Sequence, residues 1–256
     1  MRRYYVSFPS LQHLTLAGEL RIPTTDNPLP AVLIVHGSAG VDSRGAFYSD
    51  ALNNAGIATL QIDMWTARGL KGGVDGRPKS ALETLPDVYG AFKYLATRAE
   101  IDPSRIGIMG FSWGGVCSML TATKSHTERY LGSQRFAAHA PFYPVFWRYN
   151  RAPGFEFRTF TGAPVLIQAG RADAYDDPDG CEQLLADLPE EARGHIRARV
   201  YDGATHGWDR LQEGPMRAFD PNAGKGQGAW VDFTPNPQVA RRSRRAVVNF
   251  FRQVLL

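Results

Sequence analysis

The chain has only two cysteines, Cys117 and Cys181, in 256 residues. Two thiols are too few for a disulfide framework, and neither has a second ligand at metal-binding spacing, so no metal is expected. No run approaches the ~18 apolar residues a membrane helix needs. No apolar stretch follows Met1-Arg-Arg-Tyr-Tyr, so no signal peptide is expected and the cytoplasm is the default compartment. Charge is nearly balanced, with 29 basic against 25 acidic residues and a net charge of +4. The basic residues are scattered. Their one dense run, Arg241-Arg-Ser-Arg-Arg245, falls in a helical pattern and reads as a solvated face. Neither nucleic acid nor a membrane is therefore an expected partner. Internal repeats and low-complexity tracts are absent too.

What is present is alternation. Strands are expected at Arg3–Phe8, Leu14–Ile22, Ala31–Val35, Ala58–Met64, Arg105–Met109, Phe136–Ala140, Pro164–Ala169 and Ile196–Tyr201. Helices are expected at Gly45–Ala55, Ser80–Arg98, Gly115–Thr123, Gly180–Leu188 and Val239–Leu255. Near-continuous apolar strands between helices imply a mostly parallel sheet covered on both faces. Ligands of such sheets bind beyond the carboxyl ends of the strands, which is where chemistry is sought.

Three strand ends carry it. After Arg105–Met109 comes Gly110-Phe-Ser-Trp-Gly-Gly115, a G-x-S-x-G pentad at a strand-to-helix junction. The turn is sharp enough to strain the serine and lift its hydroxyl clear of the sheet, and flanking glycines let neighbouring backbone pass. With 26 glycines in the chain, the pentad alone arises by chance roughly one time in eight. After Pro164–Ala169 comes Gly170-Arg-Ala-Asp173, a carboxylate able to orient an imidazole; Asp176 and Asp177 are its nearby competitors. After Ile196–Tyr201 comes Asp202-Gly-Ala-Thr-His206, a histidine placed as a general base. The five other histidines sit in or beside strands or in a plain loop. Ser112, Asp173 and His206 then follow in the chain order of α/β-hydrolases. The expected fold is accordingly an α/β-hydrolase fold: one domain over residues 1–256 with a mostly parallel sheet of about eight strands.

The oxyanion donors follow from the same frame. The Trp113 amide opens the helix after Ser112, and the loop His36-Gly-Ser-Ala-Gly40 after the first parallel strand offers the Ser38 amide, with Ala39 as the alternative.

These segments, with Asp63-Met-Trp-Thr-Ala-Arg68 and Tyr201-Asp-Gly-Ala-Thr-His-Gly-Trp-Asp-Arg210, resemble the dienelactone hydrolase family from about Leu14 to Leu255. The resemblance implies Ser112 as nucleophile, His206 as base and Asp173 as acid. It also implies that Arg68 and Arg210 bind a substrate carboxylate, although Arg68 fits its pattern only with Thr66 inserted. Two departures are coherent. The type enzymes have a nucleophilic cysteine and an activating glutamate where this chain has Ser112 and Gly37, and a serine activated by histidine needs no thiolate switch. A serine-type relative that cleaves esters or lactones, with no cofactor, is the expectation. An amidase on the same triad and a noncatalytic binding protein of the same fold are the alternatives.

Two long segments bear on the pocket. Eight aromatics between Phe142 and Phe160 suggest a cap-like insertion over an apolar site at about 142–161, or else a packed loop. Leu211–Pro237 is expected to wall the entrance. Trp65, Trp113 and Trp208 flank the expected site and favour a flat or hydrophobic substrate. Asp176-Asp-Pro-Asp179 lacks calcium-loop spacing and reads as a helix N-terminal cap.

Overall fold

In this computed structural model, residues 1–25 and 27–256 are described. Ten strands are present among them: β1 (Arg2–Pro9), β2 (Thr15–Ile22), β3 (Leu29–Val35), β4 (Ala58–Asp63), β5 (Ile101–Phe111), β6 (Ala138–Phe142), β7 (Val165–Gly170), β8 (Ile196–Tyr201), β9 (Met216–Asp220) and β10 (Ala229–Phe233). The helices are α1 (Ser43–Asn54), α2 (Leu85–Ala96), α3 (Trp113–Leu120), α4 (Lys124–Leu131), α5 (Gly180–Ala186), α6 (Glu190–Arg193), the single turn α7 (Ala223–Gly226) and α8 (Pro237–Leu255).

Eight strands form one sheet in the order β1-β2-β4-β3-β5-β6-β7-β8. The β1–β2 and β2–β4 pairs are antiparallel, and every later pair is parallel. This is the α/β-hydrolase fold the sequence points to. The central strands, β3 after Leu29, β5 from Ile106 onward and β6 throughout, are buried because both faces are covered, and the alternation along β3 shows how. Val32 and Ile34 join Tyr48 of α1 and Val247 and Phe251 of α8 on one face. Leu33 and Val35 join Val88 and Phe92 of α2 and Val116 of α3 on the other. Each such fully buried aliphatic side chain is worth about 1.5–3 kcal/mol over its exposed state.

The helices follow local rules. Asn236 caps α8 by accepting from the Val239 amide at 3.1 Å, and Pro237 starts the first turn, where its missing N–H costs nothing. Val239, Ser243, Val247, Phe251 and Leu255 form its buried stripe, with Arg241, Arg242 and Arg245 on the exposed side.

One expectation needs correction, and two segments gain detail. The helix expected at Ser80–Arg98 is a 3-10 turn, Ala81–Thr84, capped by Ser80 and Glu83, followed by α2. Pro86 is the reason: inside a longer helix its ring would meet the Leu82 carbonyl. The stretch 211–237, expected to wall the entrance, contains the β9–β10 hairpin. The aromatic segment fits the packed-loop reading for Phe142, Tyr143, Phe146, Tyr149, Phe155 and Phe157, all buried, while its Val145 and Arg148 border a compartment beside Ser112. The size of the buried rings is the cause, since each removes more apolar surface from water in the core than over an open cleft.

Candidate active site

Ser112 stands at the step from β5 into α3 with φ 52° and ψ −107°, a backbone state that L-residues rarely hold. The turn is pinned on two sides. The Ser112 amide donates to the Phe142 carbonyl at 3.0 Å, and the Gly114 amide donates to the His36 carbonyl at 3.1 Å. A Cβ on Gly110 would overlap the Gly114 carbonyl, and one on Gly114 would overlap the Val35 carbonyl. Only glycine fits at both positions of the pentad.

The serine hydroxyl lies 2.7 Å from His206 Nε2, and His206 Nδ1 lies 2.7 Å from Asp173 Oδ2. The second oxygen of Asp173 accepts from the Tyr175 amide at 3.0 Å, which fixes the carboxylate plane. Its two competitors face elsewhere. Asp176 accepts from the Phe146 and Trp147 amides at 2.8 and 2.6 Å, and Asp177 pairs with Lys225 at 2.9 Å. Burial and the nearby Asp173 push the Asp176 carboxyl up to about 7.

His206 is only 2% exposed and is enclosed by rings. Tyr175, Tyr143 and Phe233 stand with centroids 4.3, 4.7 and 5.6 Å from the imidazole. The Ser38 and Trp113 amides donate to no other protein group among the described residues. The Ser38 loop is nonetheless held firmly. Its carbonyl accepts from Trp65 Nε1 at 2.9 Å and from the Gly73 amide at 2.8 Å, and its hydroxyl accepts from Arg77 at 2.9 Å.

A cavity of about 180 Å³ opens beside Ser112 and His206. Apolar walls come from Val74, Tyr175 and Phe233 and from Met216 and Ala218 of β9, so the 211–237 stretch does wall the entrance. A smaller compartment of about 40 Å³ adjoins it at Ser112, bounded by Trp113, Val116, Val145, Arg148 and Asn222. A separate polar cavity of about 220 Å³, beside Asp176 and Lys225, touches none of the three aligned residues.

Of the other residues singled out in the sequence, Arg210 lines the cavity. Its Nε lies 3.9 Å from Asp42 Oδ2, and its guanidinium lies 5.7 Å from the Phe233 centroid. Arg68 and Trp208 do not reach the cavity. Arg68 grips Asp87 at 2.5 Å and the Met64 carbonyl at 3.0 Å, because Asp87 is fully buried and needs a cation. Trp208 is fully buried, donates to Ser243 at 3.3 Å and packs edge-on against Tyr143.

Two networks behind the site escape sequence reading. In the first, Arg44 pairs with Asp42 at 2.5 Å and donates to the Tyr143 hydroxyl at 3.0 Å. Tyr143 and Tyr48 then donate to Asp209 at 2.6 and 2.8 Å. Burial raises the Asp209 carboxyl, and Arg44 opposes the rise. In the second, Asp220 accepts from Arg77 at 2.8 Å and from the Tyr175 hydroxyl at 2.6 Å. The only local signal for the first is Asp209 itself, next to Trp208 in the histidine loop.

Fold and site together define an α/β-hydrolase with an aligned serine, histidine and aspartate at three strand ends. The sequence profile of the dienelactone hydrolase family matches residues 16–255, and the chain belongs to that family. Two uncharacterized proteins of Mycobacterium tuberculosis are 30% identical over 189 residues, 68% of this chain but only 66% of theirs, just short of two-thirds. A probable 2-oxo-3-(5-oxofuran-2-ylidene)propanoate lactonase of a Bradyrhizobium species is 26% identical over 231 residues, 83% of this chain and 87% of that one. Among solved structures, a putative dienelactone hydrolase of Klebsiella pneumoniae superposes with a TM-score of 0.73 at 18% identity, covering 98% of both chains. A dienelactone hydrolase-like promiscuous phosphotriesterase from metagenomic libraries gives 0.67 at 17%, covering 100% of this chain and 99% of that one.

Proposed function

We propose that this protein hydrolyses carboxylic esters or lactones of small molecules through an acyl-enzyme on Ser112. The observation that carries the reading is the pair of 2.7 Å contacts joining Ser112, His206 and Asp173, set on a serine at φ 52°. His206 Nε2 takes the hydroxyl proton as Oγ attacks the carbonyl carbon, while Asp173 holds the Nδ1–H tautomer and offsets the imidazolium charge. The oxygen of the tetrahedral intermediate is received by the Ser38 and Trp113 amides, each such donor worth about 3–4 kcal/mol. His206 then gives its proton to the leaving alcohol, and water releases the acid by the same steps in reverse. No cofactor enters this sequence. Arg210 supplies a polar contact to the part of the substrate that fills the larger compartment.

The test is hydrolysis of p-nitrophenyl acetate and butyrate by the native protein and by Ser112→Ala, with circular dichroism on both. A folded variant slower by about a thousandfold or more is the expected result. A folded native protein inert on both esters, or a variant that keeps its rate, overturns the reading.

A further inference from the structure

Four arginines border the two compartments, and three have a carboxylate within ion-pair distance. Arg44 pairs with Asp42 at 2.5 Å, Arg210 reaches the same carboxylate at 3.9 Å, and Arg77 pairs with Asp220 at 2.8 Å. Arg148 differs. Among the described residues no carboxylate oxygen lies within 4.0 Å of it, a separation inside which the other three all fall. Its Nη2 donates to the side chain of Asn222, and its guanidinium rests against Trp147 and Phe155, 5.0 and 5.4 Å from the ring centroids. Burial lowers its pKa, and the nearby Arg77 lowers it further.

The neighbouring acids are occupied. Asp220 already accepts from Arg77, the Tyr175 hydroxyl and the Asn222 amide. Asp176 accepts from the Phe146 and Trp147 amides. Two guanidinium groups thus line the compartment of about 40 Å³ that Ser112 also lines, and the one carboxylate paired with either of them, Asp220 on Arg77, is already engaged. The other lining side chains, among them Ala81, Trp113, Val116 and Val145, carry no charge. A carboxylate is the group that meets a planar, partly desolvated guanidinium best, by two parallel hydrogen bonds.

We propose that this small compartment is an anion subsite, in which Arg148, with Arg77 beside it, holds a carboxylate borne by the substrate a few bonds from the scissile carbonyl. The site differs from both positions that the family resemblance suggests, since Arg68 is tied to Asp87 and Arg210 lies in the larger compartment beside Asp42. The inference rests on Ser112 being the nucleophile, and the test separates the two.

The monoethyl esters of succinic, glutaric and adipic acids are compared with neutral ethyl esters of equal acyl length, and acetoxybutyrate with butyl acetate. The ratio of kcat/KM for charged over neutral substrate is the readout. In the native protein at least one pair favours the charged member. In Arg148→Met that ratio falls by about tenfold or more, mainly through KM, the scale of one hydrogen-bonded charge contact. Arg148→Lys restores part of it, and circular dichroism checks the fold of each variant. Neutral esters hydrolysed with no charged preference, or a ratio that collapses in Arg210→Met and survives in Arg148→Met, overturns the subsite alone. If no ester of either kind is cleaved, the hydrolase reading fails. Calorimetric titration of glutarate into the native protein and Arg148→Met then decides the subsite separately: weaker binding by the variant supports it, and equal or no binding removes it.

Discussion

Tyr175 lays its ring 4.3 Å from the His206 imidazole while its hydroxyl donates to Asp220 at 2.6 Å, so one side chain covers the proposed base and anchors β9. Tyr175→Phe separates these roles. The ring stays, and buried Asp220 keeps Arg77 and the Asn222 amide but loses one charge-assisted bond. The expected result is a stability loss of about 1.5–3 kcal/mol in urea unfolding, with kcat on a p-nitrophenyl ester reduced less than in Tyr175→Ala. Equal kcat in the two variants would show that the ring does not matter to the imidazole.

The second ring on His206 belongs to Tyr143, whose hydroxyl joins Arg44 to Asp209. Removing it in Tyr143→Phe leaves the fully buried Asp209 with Tyr48 as its side-chain donor. A buried carboxylate that loses a short bond costs about 2–3 kcal/mol, so the variant is expected to melt several degrees lower. An unchanged melting temperature by calorimetry would mean that the Arg44–Asp209 network contributes nothing to stability.

The inner parallel strands such as β3 were legible because burial on both faces writes itself as near-continuous apolar runs, and edge strand β8 through its alternation. Ser112, Asp173 and His206 could be found by looking just past β5, β7 and β8. The hairpin was harder. Met216-Arg-Ala-Phe-Asp and Ala229-Trp-Val-Asp-Phe do carry an alternating signal, but each is short, half-exposed and set among glycines. The charge pairs were not legible at all. Whether an arginine faces a ligand or a buried acid depends on what the fold brings opposite it, and Asp87 reaches Arg68 only because a 3-10 turn and α2 intervene. The aromatic segment illustrates the same limit, since eight rings in a short stretch say nothing about which way they turn.

Arg68 therefore has a structural prediction in place of a substrate-binding one. Asp87 is fully buried, and Arg68 supplies both of its guanidinium contacts, at 2.5 and 3.2 Å. Arg68→Met strands that carboxylate, at an expected cost of about 3–5 kcal/mol in chemical unfolding. Arg68→Met combined with Asp87→Leu recovers most of it, because an apolar pair can replace a buried ion pair. A KM for monoethyl glutarate that rises sharply in the folded double variant would return Arg68 to the substrate site.

His36 gives the chain an acid sensitivity whose direction is set by its two hydrogen bonds. It is 2% exposed, its Nε2 accepts from the Met64 amide at 3.0 Å, and its Nδ1–H donates to the Gly37 carbonyl at 2.8 Å. A proton on Nε2 would face an N–H, and burial pushes the pKa down from 6.5 to about 4, against a smaller upward pull from the Gly37 carbonyl. As pH falls, the unfolded chain protonates this histidine first. Its contribution to stability is full above about 6.5 and is lost as pH falls toward about 4. Asp176, raised to about 7, acts in the opposite sense over much of the same range, so the raw curve of the native protein hides the effect. The difference between native protein and His36→Gln cancels that background. The stability advantage of the native protein, from urea unfolding at several pH values, is expected to shrink by about 1.4 kcal/mol per pH unit between 6.5 and about 4. Parallel curves for the two proteins would show that His36 takes up its proton in the folded state as readily as in the unfolded chain, and that its two bonds do not hold it neutral.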